Sequence, residues 1–132
     1  MNKKLAVIAI ALMLFSCGGN KKTPVTDTAV ATEFIRNILD DDFKSAEQYL
    51  IKNDFNQQYF ERFQQEYHSK DKAELEKYKA ADIVIYDIKP VNDSVHIVNY
   101  SNTYKEETKN KLKLVWVNGK WLVDLNTISD NN

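Results

Sequence analysis

Cysteine, glycine and histidine are scarce in this chain of 132 residues, and their scarcity excludes several kinds of chemistry. With Cys17 as the only cysteine, the chain can form no internal disulfide and no multi-cysteine metal site. After Gly19 the only glycine is Gly119, which excludes the glycine-rich loops that let a backbone approach phosphates closely. The two histidines, His68 and His96, form no HExxH pattern, and no serine lies in a GxSxG elbow. We therefore expect no cofactor and no metal site.

An excess of one charge is also lacking. The chain has 18 lysines and arginines against 19 aspartates and glutamates, a formal net charge of −1. The lysines are interspersed with acidic residues, which is typical of a solvated surface and not of a nucleic-acid interface. We expect no nucleic-acid partner. The length suits one domain with a single apolar core.

The first 17 residues carry the clearest signal. A lysine-containing start leads into an unbroken apolar run, Leu5–Phe15, which is shorter than the roughly 20 residues of a membrane-spanning helix. The small residue Ser16 then precedes Cys17, as at the cleavage point of a secretory signal peptide. The run Leu14-Phe15-Ser16-Cys17 resembles the lipobox of Gram-negative lipoproteins, in which the cysteine is diacylated and becomes the mature N-terminus. An ordinary signal peptide with an incidental cysteine, or an uncleaved signal anchor, are the alternatives.

These features predict four segments: a lipoprotein signal peptide over 1–16, the lipidated Cys17 with a flexible tether over 17–27, one domain over 28–128 and a polar tail over 129–132. Glycines, polar residues and Pro24 are typical of a tether. We expect the protein in the bacterial cell envelope, with the membrane as a partner through the N-terminal lipid. Lys21 and Lys22 stand where some lipoprotein lineages carry acidic surface-export residues, so a periplasm-facing anchor is favoured.

Helical spacing of apolar residues characterises the first part of the domain. It predicts a helix over Thr28–Leu39, a second helix capped by Asp42, a third beginning at Asn53 or Asp54, and a short fourth over Asp71–Lys79. An acidic run such as Asp40–Asp42 can bind a metal, but capping of the second helix is the simpler role. For the third helix, Asp54 and Gln57 approximate a capping box. Its predicted apolar edge consists of Phe55, Tyr59, Phe60, Phe63 and Tyr67.

After Ala81 the period changes to two, which predicts four strands. They cover Ile83–Ile88, Val95–Tyr104, Leu112–Val117 and Trp121–Leu125, and the short connections between them favour an antiparallel meander. The fold class is therefore α+β, with N-terminal helices packed on a four-stranded sheet.

The turn of the last hairpin fixes its register. Asn118-Gly119 is the preferred pair for a two-residue type I′ turn. Counting outward from it pairs Trp116 with Trp121 at the centre of the core, Leu114 with Val123, and Leu112 with Leu125. An exposed salt bridge, Lys113 to Asp124, is expected on the opposite face.

The helix–strand layout resembles the cone-shaped cystatin-like or nuclear-transport-factor-2-like superfamily. Two segments, Phe34–Leu50 and Leu114–Leu125, are similar to small bacterial lipoproteins of unknown function assigned to that superfamily. The resemblance covers nearly all of residues 28–128. It implies a cone-shaped domain with an interior that is catalytic in some members and a binding site in others.

Two hypotheses for function follow. The first is a non-catalytic binding or accessory domain that binds a small apolar ligand or an envelope protein; its candidate pocket residues are Tyr59, Phe63, Tyr67, His96 and Tyr100. The alternative is a small isomerase, dehydratase or hydrolase that uses Tyr, His and Asp as acids and bases. It requires a carboxylate, with Asp87 as the candidate, to converge with His96 inside the cone. His96, Tyr100 and Tyr104 alternate on one predicted strand and could share a face. The sequence leaves the oligomeric state open.

Overall fold

The computed structural model describes residues 24–126 as four helices followed by four strands. The helices are α1 (Asp27–Leu39), α2 (Phe43–Glu47), α3 (Asp54–His68) and α4 (Lys72–Ala80). The strands are β1 (Ile83–Asn92), β2 (Val95–Asn102), β3 (Asn110–Val117) and β4 (Lys120–Asp124). The predicted α+β order is confirmed. The signal peptide, Cys17, most of the tether and the polar tail lie outside the described residues.

Polar side chains start the helices by accepting hydrogen bonds from the orphan N–H groups of the first turn. Asp42 accepts from Ser45 N, so its predicted capping role is confirmed. Asn53 caps α3 by accepting a hydrogen bond from Asn56 N. The N-cap is therefore Asn53, one residue before the Asp54 of the predicted capping box, and that box is wrong. The first helix begins at Asp27, the last residue of the predicted tether.

The sheet is an antiparallel meander with strand order β1-β2-β3-β4, as predicted. In the last hairpin Asn118 has φ 49° and Gly119 φ 81°, the two positive angles that a type I′ turn needs. The register pairs Trp116 with Trp121, Leu114 with Val123, and Lys113 with Asp124, which confirms the register derived from the turn. Leu125 lies beyond the end of β4, so its predicted pairing with Leu112 is not part of the ladder.

The C-terminal ends of the first two strands differ from the prediction. The first strand continues past Ile88 to Asn92, with two register shifts. The second strand stops at Asn102 and not at Tyr104, because the side-chain oxygen of Asn102 accepts hydrogen bonds from the backbone N–H groups of Tyr104 and Lys105 at 3.0 and 2.9 Å. This local turn replaces the last ladder positions.

The core lies between α1 and the sheet, with α2, α3 and α4 closing its sides. Helix α1 buries Phe34, Ile35 and Ile38 on one face, at helical spacing. The sheet contributes fully buried residues from its inner face, including Val98, Leu114 and Val123. Leu75 and Tyr78 of α4 pack against this cluster, as predicted.

Three packing predictions are wrong. Trp116 is 43% exposed and Trp121 is only partly buried, since the pair lies at the hairpin end; the centre of the core is one pair further in, at Leu114 and Val123. On α3 the prediction is wrong only in part: Phe60 and Tyr67 are buried as predicted, together with Asn56, whereas Phe55, Tyr59 and Phe63 are exposed on the adjacent line. The Lys113–Asp124 salt bridge is not exposed, because its side chains retain only 13% and 18% of their accessible surface.

Candidate functional site

A cavity of about 320 Å³ lies between α1, the C-terminal half of α3, and the ends of β2 and β3 that meet the β2–β3 loop. Its apolar wall comes from successive turns of α1, and its aromatic wall comes from α3, α4 and β2. The residues of these walls are Phe34, Ile35, Ile38, Leu39, Phe63, Tyr67, Tyr78 and Tyr100. Ligand sites in proteins are usually concave and mainly apolar, with volumes of about 300 to 1,000 Å³. The cavity reaches the lower end of that range.

Aromatic contacts and one hydrogen bond hold the α3 side of the cavity in place. The rings of Tyr67 and Phe63 meet Phe43 edge-on, with centroids 5.2 and 6.1 Å away. The Tyr67 hydroxyl donates to Leu39 O at 3.0 Å, which satisfies a carbonyl at the end of α1. Burial, followed by the nearby acidic residues at the end of α1, raises the pKa of Tyr67, so the hydroxyl remains a donor.

Tyr100 provides the polar group inside the cavity. Burial and then the neighbouring Tyr59 raise the pKa of Tyr100 to about 12, so its hydroxyl stays protonated at neutral pH. Within residues 24–126 this hydroxyl makes no hydrogen bond to the protein, and the residue lines the cavity. The Tyr100 hydroxyl is therefore available as a donor to a molecule in the cavity.

Polar and charged side chains form the mouth. Glu66 lies on α3, Lys70 lies in the connection between α3 and α4, and Lys105 lies on the β2–β3 loop. Two hydrogen bonds between Asp82 and Thr103 hold the loop at its first residue, with Asp82 N donating to the Thr103 hydroxyl at 2.8 Å and Thr103 N donating to Asp82 O at 2.9 Å. The cavity thus has mainly apolar inner walls and a charged rim at its mouth.

The predicted pocket residues divide into two groups. Phe63, Tyr67 and Tyr100 line the cavity together. Tyr59 is not among the lining residues; it stacks on Phe55 with centroids 6.0 Å apart, on the exposed line of α3. His96 also lies elsewhere, near the start of β2, where its ring stacks on Trp121 at 4.4 Å. Ligand binding by these residues stays a prediction.

His96 is paired with a carboxylate from an unexpected position. Its Nδ1 lies 2.7 Å from Asp27 Oδ2, in the first turn of α1, and both side chains are mostly buried. Burial alone would raise the pKa of Asp27, but hydrogen bonds from His96 and Thr28 outweigh it, and the pKa is lowered from 3.8. A carboxylate in the first turn also complements the helix dipole. The contact joins α1 to β2.

The carboxylate named for the enzyme hypothesis does not meet His96. Asp87 accepts a hydrogen bond from the side chain of Asn99, on the outer face of the sheet. Tyr104 lies in the turn after β2, edge-on to Tyr78 at 5.0 Å, and therefore does not continue the strand face of His96. The expected convergence of Asp87 and His96 is wrong, because a register shift in β1 sets Ile88, and not Asp87, on the inner face opposite Val98.

Sequence reasoning missed most residues of these sites, among them four polar ones. Asp27 was assigned to the tether, although an acidic residue just after Thr26 is a typical helix start. Asn102, Lys70 and Lys105 shape the mouth, and only Asn102 had a local signal, since Asn-Thr at a strand end favours a turn. The lysines could not be distinguished from other surface lysines without the packing of α3 against the loop.

The part of the chain that the structure covers, residues 24–126, contains no group of His, Cys, Asp or Glu side chains arranged to hold a metal ion. None of the helices within that range has the length and apolar character needed to span a membrane. Comparisons with protein-family models, with curated proteins and with solved structures found no match to the chain. The function must therefore be argued from the residues of this chain alone.

Proposed function

We propose that this protein is a lipid-anchored, non-catalytic binding domain of the bacterial cell envelope, which holds a small apolar ligand in the cavity between α1, α3 and the sheet. The observation that carries the proposal is the Tyr100 hydroxyl, which makes no hydrogen bond to the protein and lies in a cavity whose inner walls are mainly apolar. A ligand with an apolar body and one acceptor atom would fill the volume and accept that hydrogen bond.

The anchor is proposed from the sequence. The short apolar run and the Leu14-Phe15-Ser16-Cys17 motif support a diacylated cysteine, and two acyl chains hold far more firmly than one. Replacing Cys17 with alanine should move the protein out of the membrane fraction and abolish labelling by a fatty-acid probe. Unchanged labelling of this variant would refute the anchor, whatever the cavity binds.

The family is also part of the proposal. Helices followed by a four-stranded antiparallel meander support membership of the cystatin-like or nuclear-transport-factor-2-like superfamily. In such a layout the interior between helix and sheet is the natural place for a ligand. The fold by itself does not identify that ligand.

The binding test blocks the cavity at its mouth. Thr108 lines the cavity and is exposed, so Thr108→Trp should fill the entrance without disturbing the core. Glu107 is the matched control, because it is exposed in the same loop and does not line the cavity. Both variants should be made in the lipid-free Cys17→Ala protein and titrated with the apolar fluorescent dye N-phenyl-naphthylamine. We expect loss of dye binding with Thr108→Trp and normal binding with Glu107→Trp.

Tyr100→Phe provides the second arm of the test. It should leave the dye site intact, since the dye needs only apolar contact, and weaken a carbonyl-containing competitor by about fivefold to tenfold for one lost hydrogen bond. Equal dye binding by both loop variants would refute the cavity. The exposed aromatic line of α3, Phe55, Tyr59 and Phe63, would then be the candidate contact for a protein partner.

One observation favours the enzyme alternative. The Asp27–His96 contact is the carboxylate–imidazole arrangement that orients a general base, although the cavity lining does not include it. Complementation of a deletion strain with His96→Ala decides between the two readings. A binding domain should keep its role, whereas a folded but inactive His96→Ala protein would favour acid–base catalysis.

A further inference from the structure

Three chain segments meet at one end of the domain, which we call the hairpin end: residues 24–27 before and at the start of α1, residues 91–96 around the β1–β2 turn, and residues 116–121 around the β3–β4 turn. Trp116 N donates to Ser94 O at 2.8 Å and joins the two turns. The Asp27–His96 contact joins the start of α1 to them. The entering chain is therefore fixed beside both hairpin turns.

Exposed apolar side chains collect at the hairpin end. Val25 is 76% exposed, Val91 is 58% exposed, and Trp116 exposes nearly half of its surface. The Trp116 ring is held edge-on to Trp121 at 5.4 Å, and Trp121 stacks on His96. A large indole that is half exposed and fixed by its neighbours is suited to contact another apolar phase.

The place where the chain enters the domain indicates that this apolar phase is the lipid bilayer. Six residues, 18–23, lie between the predicted lipidated cysteine and Pro24, and the seven chain steps from Cys17 to Pro24 reach at most roughly 25 Å. Pro24 lines the same surface hollow as Lys120 and Trp121. An acylated Cys17 would therefore attach the domain to the membrane beside its hairpin end.

We propose that the hairpin end rests on the bilayer surface, with Trp116 inserted at the headgroup level and Val25 and Val91 beside it. The inference depends on the lipid anchor proposed above. Tryptophan is enriched at membrane–water interfaces, where its ring is buried and its N–H remains hydrated. Lys120 can place its stem along the same surface and its ammonium group among the phosphates, whereas Asp93 in the other turn stays in water.

The orientation has a consequence for the cavity. Its mouth is formed at the β2–β3 loop, by residues such as Lys105 and Thr108, and that loop lies at the opposite end of the strands from the two hairpin turns. The cavity would then open away from the bilayer, and its ligand would enter from the aqueous compartment.

The two tryptophans of the chain make a direct test possible, because both lie at the hairpin end. The lipidated full-length protein is reconstituted in phosphatidylcholine vesicles, with and without bromine on the acyl chains, and its emission is measured. Trp121→Phe isolates Trp116, whose emission should shift to the blue on reconstitution and lose most of its intensity in brominated vesicles. If this variant does not fold, Trp116→Phe is compared with the native protein. The bromine quenching that is lost in Trp116→Phe is then the quenching of Trp116.

The control carries its reporter at the other end: Trp116→Phe and Trp121→Phe combined with Tyr104→Trp in the turn after β2. Its emission should be equal in the two kinds of vesicle.

Flotation of the vesicles separates the two proposals. Protein that does not float refutes the anchor and this orientation together. Protein that floats but shows no bromine quenching of Trp116 refutes the orientation alone, and protection from acrylamide without bromine quenching would mean that a second copy or another protein covers the patch.

Discussion

Replacement of Asn56 should be among the most damaging single changes in the domain, although the residue is polar and is followed in the helix by two glutamines. Only 1% of its surface is exposed. Its Nδ2 donates to Ile51 O at 2.9 Å, and its Oδ1 accepts from Leu125 N at 2.9 Å. One side chain thus satisfies backbone groups before α3 and after β4.

The magnitude follows from what Asn56→Leu would leave behind. Leucine has a similar volume, so the cavity contribution is small, but a carbonyl and an N–H both lose their partner. Each unsatisfied buried group costs about 1 to 3 kcal/mol, so the free energy of unfolding should fall by about 2 to 5 kcal/mol. A domain of this size has only about 5 to 15 kcal/mol in total. Asn56→Asp should also destabilise the domain, because it turns a carboxylate oxygen towards Ile51 O.

Urea unfolding followed by tryptophan emission measures the effect. Gln58→Leu is the control, since Gln58 is exposed on the same helix. We expect the control to change the free energy of unfolding by less than about 0.5 kcal/mol. A loss below about 1 kcal/mol for Asn56→Leu would show that water or a backbone shift replaces both bonds, and the reasoning would be refuted.

Three further predictions concern the sheet and α1. Urea melts should show that Trp121→Ala costs about 3 kcal/mol, near the lower end for core aromatics, and that the exposed Trp116→Ala costs clearly less; equal costs would contradict the packing. Lys113→Ala should cost more than the roughly 1 kcal/mol of an exposed pair in the same assay, because it leaves a mostly buried carboxylate unpaired. Since the pKa of Asp27 is lowered on folding, its contribution is present above about pH 3.8 and is lost as pH falls through the folded value. Asp27→Asn should therefore lower the free energy of unfolding at neutral pH, and its difference from the native protein should become smaller in acid. A difference that does not depend on pH would contradict the pairing of Asp27 with His96.

Local signals account for the features that the sequence predicted correctly. The cap at Asp42, the switch of apolar period after Ala81 and the Asn118-Gly119 turn each depend on residues within a few positions of one another. They determine the element order and the register of the last hairpin. Such signals act before any long-range packing and so can be read from the chain.

The packing errors involve contacts between distant segments. Whether Trp116 is buried depends on how far α1 extends over the hairpin, and the 3.6-residue period of α3 cannot show which of two adjacent apolar lines meets the core. The Asp27–His96 contact joins residues 69 positions apart. The cavity arises between α1, α3 and a loop, and none of these segments encodes it alone. Only the assembled packing could locate the site.

The wall of the cavity that α1 provides is fixed at both of its ends. Asp27 holds the first turn to β2, and at the other end Arg36 donates to Ala81 O at 2.7 Å and to Lys79 O at 3.1 Å. The Tyr67 hydroxyl holds the last turn through Leu39 O. A ligand that enters this chamber would not have to order α1, so little of its binding energy would be lost to conformational entropy. Adjustment to ligand shape would instead fall to the side chains of the β2–β3 loop, which form the mouth.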